Sequence, residues 1–152
     1  MKVVIASDHG GYQLKEELKT FIAQLGHEVA DYGAHTQDPV DYPDFAFLVA
    51  EAVAAGAADR GVMIDGIGAA SAIVANKVPG IRAASCSDTF TAAMSRAHND
   101  ANVLTLGARV IGSGLAREIV RVWLAAEFEG GRHMRRVSKV LDFEARYLGS
   151  RR

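Results

Sequence analysis

The stretch from Gly61 to Gly80 constrains the fold of this chain more than any other, because a strand, a turn and a helix follow one another within it. Apolar residues predict a short buried strand that ends at Asp65, Gly66 and Gly68 predict a turn, and an alanine-rich helix follows. Open α/β sheets bind ligands outside the carboxyl ends of their strands, where glycine lets backbone N–H groups approach an anion. Asp65 is therefore either a base that acts on a substrate or a cap for the helix.

Apolar runs of strand length alternate with segments of helical periodicity along the chain. The predicted strands are Lys2–Ser7, His27–Asp31, Gly61–Ile64, Arg82–Cys86 and Val103–Leu106. The predicted helices are Leu14–Leu25, Phe45–Ala55, Ala70–Asn76, Thr89–His98, Ser113–Phe128 and a last amphipathic segment that ends near Leu148, and Gly33–Pro43 is a predicted loop. This alternation predicts an α/β fold, a Rossmann-like three-layer sandwich with a five-stranded parallel sheet and helices on both faces.

We expect one domain over residues 1–152, with the ends of the first and third strands side by side. The last helix carries apolar residues, among them Val137 and Val140, that need a partner. We therefore expect this helix to pack on a partner subunit, in an oligomer.

Composition excludes several classes of function. A formal net charge of −1 argues against nucleic-acid binding or a membrane-surface role. We expect no secretory leader and no membrane-spanning segment, because no apolar run has the needed length. The one cysteine, Cys86, fits a reducing cytoplasm. Cys86 itself is predicted to be a small core residue. No spacing indicates a metal site, and no cofactor is expected.

Four short motifs carry polar groups suited to chemistry. Asp8-His9-Gly10-Gly11 ends the first strand, where His9 binds an anion or a hydroxyl, or Asp8 only caps the next helix. Tyr42 lies in an Asp-Tyr-Pro turn that favours a helix start over a role in a pocket. His98 ends a helix, where proton transfer and a favourable helix-dipole contact are about equally expected. Arg132 and Arg136 are spaced to share one helix face, which favours binding of a phosphate dianion over a merely solvated charged face.

These motifs together resemble the sugar-phosphate isomerases that include ribose-5-phosphate isomerase B and the two galactose-6-phosphate isomerase subunits. The resemblance runs from SDHGGYQLK through DYP, ANKVPGIRA and SRAHNDANVLTLGARVIG to EGGRHMRRV, which is nearly the whole chain. It implies a homodimer or a dimer of dimers with sites between subunits, and a small phosphorylated sugar as substrate.

The resemblance also implies a role for each candidate residue. His98 corresponds to the group that helps open the sugar ring, Asp8 to one near the ring oxygen or hydroxyls, and Tyr42 to a wall of the sugar pocket. Groups that hold the enediolate correspond to Asn99, Gly66, Gly68 and Ala70. The phosphate clamp corresponds to His9, Arg132 and Arg136, and Arg109 matches a further basic element of the family.

The glycine-rich turn departs from the usual pattern. Asp65 stands where most members of this family carry a cysteine base, Ile67 replaces a threonine, and Ser71 occupies the position of a glutamate used by a second branch. The turn is similar to that of the A subunit of galactose-6-phosphate isomerase, which is understood to share sites with a cysteine-bearing subunit. Three hypotheses follow: an isomerase with Asp65 as the base, a non-catalytic partner of a cysteine-bearing paralogue, and a sugar-phosphate-binding protein.

Overall fold

A computed structural model describes residues 1–149, which form one parallel sheet flanked by helices; residues 150–152 of the predicted domain lie outside this part. The strands are β1 Lys2–Ser7, β2 Glu28–Asp31, β3 Arg60–Asp65, β4 Ala83–Ser85 and β5 Val103–Gly107. The helices are α1 Tyr12–Gln24, α2 Tyr42–Ala54, α3 Ala69–Ala75, α4 Thr89–Ala97, α5 Ser113–Ala125 and α6 Arg132–Gly149. The predicted α/β fold with a five-stranded parallel sheet is confirmed.

The order of the strands across the sheet is β2-β1-β3-β5-β4. The ends of β1 and β3 lie side by side as predicted, with Ser7 paired to Ile64. Asp65 in turn pairs with Gly107 at the end of β5. Because β5 lies next to β3, the far half of the sheet departs from the common 2-1-3-4-5 order. The carboxyl ends of β1, β3 and β5 therefore form one continuous edge.

Two helix boundaries differ from the sequence prediction by more than two residues. Helix α2 begins at Tyr42 rather than Phe45, because Pro43 fits the first helical turn, where its missing N–H is not needed. Helix α5 ends at Ala125 rather than Phe128, since Ala126 already has an extended backbone with ψ 136°. The remaining ends shift by two residues or fewer, which is the ordinary scatter of element boundaries.

Both faces of the sheet are buried. Along β1, Val3 and Ile5 join the cluster that includes α1 and α5, whereas Val4 and Ala6 join the cluster that includes α2 and α3. Burying a side chain of the size of valine or isoleucine on folding stabilises the folded state by roughly 1.5–3 kcal/mol. The alternation explains why the strand sequences are almost continuously apolar.

Helix α6 contacts the rest of the chain through few groups. Val137 is buried, and the Glu144 Oε2 atom accepts a hydrogen bond of 2.9 Å from the Gly80 N–H. Several apolar side chains of this helix are exposed: Met134, Val140, Leu141, Phe143, Tyr147 and Leu148. The packing of α6 on a partner subunit stays a prediction. Among residues 1–149, no helix has the length and apolar character needed to cross a membrane.

A buried charge cluster ties the edge strand β2 to α1. Lys15 is fully buried, and its Nζ atom lies 2.8 Å from both carboxylate oxygens of Asp31. The Lys19 Nζ atom lies 2.6 Å from Asp31 Oδ2. Burial acts to raise the pKa of Asp31, but hydrogen bonds from Lys15, Lys19 and the Gly33 N–H outweigh it and lower that pKa to about 2.

We expect Asp31→Asn to lower the free energy of unfolding at pH 7 by roughly 2–3 kcal/mol, because it leaves the buried Lys15 ammonium with only the partly exposed Glu16 carboxylate, at 3.1 Å, as a counter-charge. The stabilisation from the depressed pKa of Asp31 is complete above its unfolded pKa of 3.8 and is lost as the pH falls towards 2. Urea unfolding at pH 7 and pH 3 measures both effects. Glu28→Gln, in the exposed pair with Lys2, is the control and should change stability by less than about 1 kcal/mol; equal losses would contradict the assignment.

Candidate active site

The Asp65 carboxylate lies at the end of β3 and is almost fully buried, at 2% exposure. Its Oδ1 atom accepts hydrogen bonds from the backbone N–H groups of Ile67, at 2.7 Å, and Gly68, at 2.5 Å. Its Oδ2 atom accepts one from the Ser71 N–H, at 2.9 Å, and another from the Ser71 hydroxyl. A carboxylate offers about four lone-pair positions, so these four bonds occupy all of them. Asp65 therefore caps the start of α3.

The turn after Asp65 is held tightly against the loop after β5. Gly68 has a φ of +79°, and a Cβ atom there would lie 2.8 Å from Ser85 Oγ and 3.1 Å from the Gly107 nitrogen. The N–H groups of Ala108 and Arg109 donate to the carbonyls of Asp65 and Gly66, at 2.8 and 3.0 Å. Glycine is needed at position 68 because both the conformation and the close approach exclude a side chain.

Asp8 and His9 lie beside this turn at the end of β1. The Asp8 N–H donates to the Ile64 carbonyl at 3.1 Å, and Asp8 Oδ1 accepts from the Gly11 N–H at 3.0 Å. Asp8 thus caps the turn that leads into α1. The Nδ1 atom of His9 lies 3.2 Å from both the N–H and the carbonyl oxygen of Val40, which fixes the ring against the loop before α2.

The other candidates near this edge are Tyr42, Ala70, Ser71 and Arg109. Tyr42 is the first residue of α2 and is 37% exposed. The Arg109 side chain crosses over Gly66, since a Cβ atom on that glycine would lie 3.7 Å from Arg109 Cδ. Ala70 lies in the first turn of α3, and Ser71 is fully buried by its contact with Asp65. All four therefore belong to the carboxyl edge of the sheet.

The remaining candidates lie at the opposite, amino edge. His98 is the C-cap of α4, Asn99 follows it, and the chain then enters β5 at Val103. Arg132 and Arg136 begin α6, whose preceding loop is bound to the end of α4 by a hydrogen bond from the Glu129 N–H to the Ala97 carbonyl, at 3.0 Å. The length of β5 separates the two groups by roughly 13 Å. Within one chain, the predicted site is therefore divided into two halves.

Asn99 and Arg136 line a cavity of about 750 Å³ between α6 and the neighbourhood of β4. Arg82 also lines this cavity, and its guanidinium donates to the carbonyls of Asn99 and Asp100 and to the Asp100 carboxylate. Asp100 has a φ of +49°, a strained conformation for an aspartate. Its carboxylate also accepts from the buried Arg96 guanidinium at 2.8 Å. Two arginines thus hold the segment that presents His98 and Asn99.

The ring of His98 stacks on that of His133, with 4.1 Å between ring centroids and 7° between planes. Both Nε2 atoms approach Glu129 Oε2, at 3.8 Å for His98 and 3.7 Å for His133. The three residue types could ligate a metal ion, but an imidazole binds metals in its own plane. Two parallel stacked rings cannot both direct a lone pair at one ion, so this arrangement suits proton exchange better than metal binding.

Sequence reasoning did not assign roles to Glu129, His133, Asp100 or the two arginines that hold Asp100. The glycine pair Gly130-Gly131 was the available sequence signal for a sharp turn in this loop. In the structure both glycines have a positive φ, 64° and 53°. Cys86 is buried, and burial raises the pKa of its thiol to about 11, so its predicted role as a core residue is confirmed.

Comparison with known proteins identifies the family. The sequence model of the Ribose/Galactose Isomerase family matches residues 3–140. The chain belongs to this family. It is 46% identical to ribose-5-phosphate isomerase B of Escherichia coli, over 95% of this chain and 97% of that one. It is 42% identical to D-erythrulose-4-phosphate isomerase of Pectobacterium atrosepticum, over 95% of both. The structure of Clostridium thermocellum ribose-5-phosphate isomerase B is 56% identical and superposes with a TM-score of 0.95, over 97% of this chain and 99% of that one.

We expect Gly68→Ala to lower the free energy of unfolding of this isomerase-family chain by roughly 3 kcal/mol, because the new Cβ atom meets Ser85 and Gly107 in addition to the positive φ. Gly80→Ala is the matched control, since Gly80 has a φ of +81° with nothing within 4 Å of its Cβ position. That variant should lose only about 1 kcal/mol. Denaturant unfolding compares the two, and equal losses would show that the close approach is unimportant.

Proposed function

We propose that this protein is an aldose–ketose isomerase of phosphorylated sugars, with ribose 5-phosphate as the default substrate. The observation that carries the proposal is the cluster at the amino edge. The His98 ring stacks on His133, whose Nε2 atom accepts from Arg132, and Asn99 lines the same cavity as Arg136. A guanidinium pair binds a phosphate dianion, and an imidazole transfers protons near neutral pH. The names of the relatives agree with this chemistry.

The division of the site supports a homodimer as the functional unit, with a dimer of dimers as its larger form. A substrate a few ångströms long cannot touch both edges of one sheet. The carboxyl edge of one copy and the amino edge of a second copy together supply the complete set of groups. Exposed apolar side chains near the carboxyl edge, Ile67 and Phe90, and those of α6 provide surface for such a contact.

In the proposed reaction a proton leaves C2 of the open-chain aldose and returns at C1, through an enediolate. His98 helps open the sugar ring with Asp8 near the ring oxygen. Asp65 acts as the base at the reacting carbons once the Ser71 hydroxyl turns away and frees one carboxylate lone pair. Asn99 and the turn at Gly66, Gly68 and Ala70 support the enediolate oxygens. The clamp formed by His9, Arg132 and Arg136 holds the phosphate, Tyr42 lines the sugar, and Arg109 adds positive charge.

A panel of phosphorylated tetroses, pentoses and hexoses tests the proposal with purified protein free of host isomerases. Turnover of one of them, with exchange of the C1 or C2 proton into D₂O, is the expected result. Saturable binding of a phosphosugar without any proton exchange would identify a binding protein instead. If the protein shows neither binding nor exchange, alone or mixed with a paralogue, the proposed function is wrong.

We expect Asp65→Asn to lower the rate of proton exchange by about 10²–10⁴-fold, because an amide is not a general base. Asp65→Cys should retain measurable exchange, since it supplies a thiol at the position usual in the family. Ser71→Ala is the control, because it removes one hydrogen bond to the same carboxylate but no proton acceptor. Equal losses in Asp65→Asn and Ser71→Ala would restrict Asp65 to helix capping.

Arg136→Ala should raise the KM for a phosphosugar by about 10–100-fold with a smaller effect on kcat, because a charge-assisted hydrogen bond contributes roughly 1.5–3 kcal/mol. Arg135→Ala, which removes an exposed neighbouring charge, should leave KM within about twofold of the parent. Initial rates over a range of phosphosugar concentrations measure both variants. A KM increase of the same size in both variants would indicate a general electrostatic effect rather than a phosphate contact.

One observation favours a second candidate, a subunit that completes the site of a cysteine-bearing paralogue. The N–H groups of Ile67, Gly68 and Ser71 already donate to Asp65. An enediolate oxygen that needs those donors competes with a carboxylate of the protein itself. In a mixed oligomer, His98 and the α6 arginines of this chain would instead serve the glycine-rich turn of the paralogue.

Mixing this chain with such a paralogue distinguishes the two candidates. The second candidate requires proton exchange by the mixture that neither chain shows alone, together with hetero-oligomers in native mass spectrometry. If the mixture contains only homo-oligomers, or if this chain alone exchanges the proton at full rate, the second candidate fails.

A further inference from the structure

Glu129 and His133 surround His98 although neither has a place in the proposed reaction. Glu129 is exposed and lies in the loop before α6, whereas His133 is buried in the first turn of that helix. The loop is fixed at two points: the Glu129 N–H donates to Ala97, next to His98, and the His133 N–H donates to Gly130 at 2.9 Å. The position of the Glu129 backbone relative to His98 is therefore built into the fold.

The hydrogen-bond partners indicate the protonation of His133. The Arg132 Nε–H donates to His133 Nε2 at 3.4 Å, so this nitrogen carries a lone pair. Burial lowers the pKa of His133, the charges of His98, Arg132 and Arg136 lower it further, and Glu129 opposes them. His133 is accordingly a neutral ring that presents its face to His98.

Of the two Nε2 atoms near the Glu129 carboxylate, that of His98 is then the one that can carry a proton facing it. His133 Nε2 is an acceptor, so it gains nothing from the carboxylate 3.7 Å away. His98 Nε2 lies at a similar distance, 3.8 Å, and a proton on this nitrogen faces the negative charge. A small closure, or one bridging water, converts this approach into a hydrogen bond. The carboxylate therefore favours the tautomer of His98 that carries its proton on Nε2.

We propose that Glu129, backed by the neutral His133, is a positioning residue that fixes Nδ1 of His98 as the nitrogen that exchanges a proton with the sugar ring oxygen. The inference deepens the proposed function and rests on it. In the ring-opening step the C1–O4 bond breaks and C1=O1 forms. The O1 proton passes to the Asp8 carboxylate of the second copy, and the Nδ1 proton of the His98 imidazolium passes to O4.

A comparison of a cyclic with an acyclic substrate tests this role. Ribose 5-phosphate closes a ring through its O4 atom, whereas ribulose 5-phosphate stays open because its O5 atom carries the phosphate. Exchange of the C1 proton of ribulose 5-phosphate with D₂O needs the base and the enediolate but no ring chemistry. The measured variant is Glu129→Gln, and Glu127→Gln, an exposed glutamate two residues earlier, is the matched control.

We expect Glu129→Gln to lower kcat for ribose 5-phosphate by about 10–30-fold while C1 exchange of ribulose 5-phosphate stays within about twofold. Glu127→Gln should leave both rates unchanged. Equal losses of both rates in Glu129→Gln would show a structural role only, and no loss would remove Glu129 from the mechanism; either result overturns the inference.

The assay uses whichever preparation is active, this chain alone or its mixture with a cysteine-bearing paralogue. If the parent protein processes neither sugar in either preparation, the proposed function fails, which is distinguishable from a failure confined to Glu129. Glu129→Ala with added formate provides a second measurement. Formate should restore part of the rate on ribose 5-phosphate if the carboxylate charge acts on His98, and the absence of any restoration would contradict that action.

Discussion

The carboxylate of Asp65 organises the centre of this molecule. It takes up the N–H groups at the start of α3 and the Ser71 hydroxyl, and by doing so it sets the path of the glycine-rich turn. The carbonyls at this turn then fix the loop after β5, because they accept hydrogen bonds from the Ala108 and Arg109 N–H groups. The same interaction limits the chemistry, because the backbone donors that stabilise the turn are those that an enediolate would need.

A second constraint is the separation of the candidate groups by the parallel sheet. Strand ends and helix starts gather at one edge, and helix ends gather at the other, because each crossover helix runs back against its strand. Asp8 and Asp65 follow strands, whereas His98 ends a helix. A site that uses all three therefore requires two copies, or two related chains, and oligomerisation becomes part of the proposed catalysis.

At the amino edge, charged groups hold the proposed proton-transfer residue in place. Arg82 and Arg96 share the Asp100 carboxylate and stabilise its strained backbone, which orients the end of α4. The stacked His133 ring and Glu129 then constrain His98 from the side of α6. These contacts approach His98 from both α4 and α6, and together they restrict its position.

The sequence by itself determined the α/β class, the five strands and the family, since buried parallel strands are apolar runs and the motifs occur in one order. It also located the candidate residues, because polar groups next to glycine at strand ends are visible in the sequence. It left Asp65 undecided between base and cap, and it did not reveal Glu129 beside His98. Only the tertiary structure showed the hydrogen bonds by which Asp65 caps α3 and placed Glu129 beside His98. Hydrogen bonds at Asp65 depend on the three-dimensional path of the turn, and the approach of Glu129 to His98 depends on the bond from the Glu129 N–H to the carbonyl of Ala97, the residue before His98.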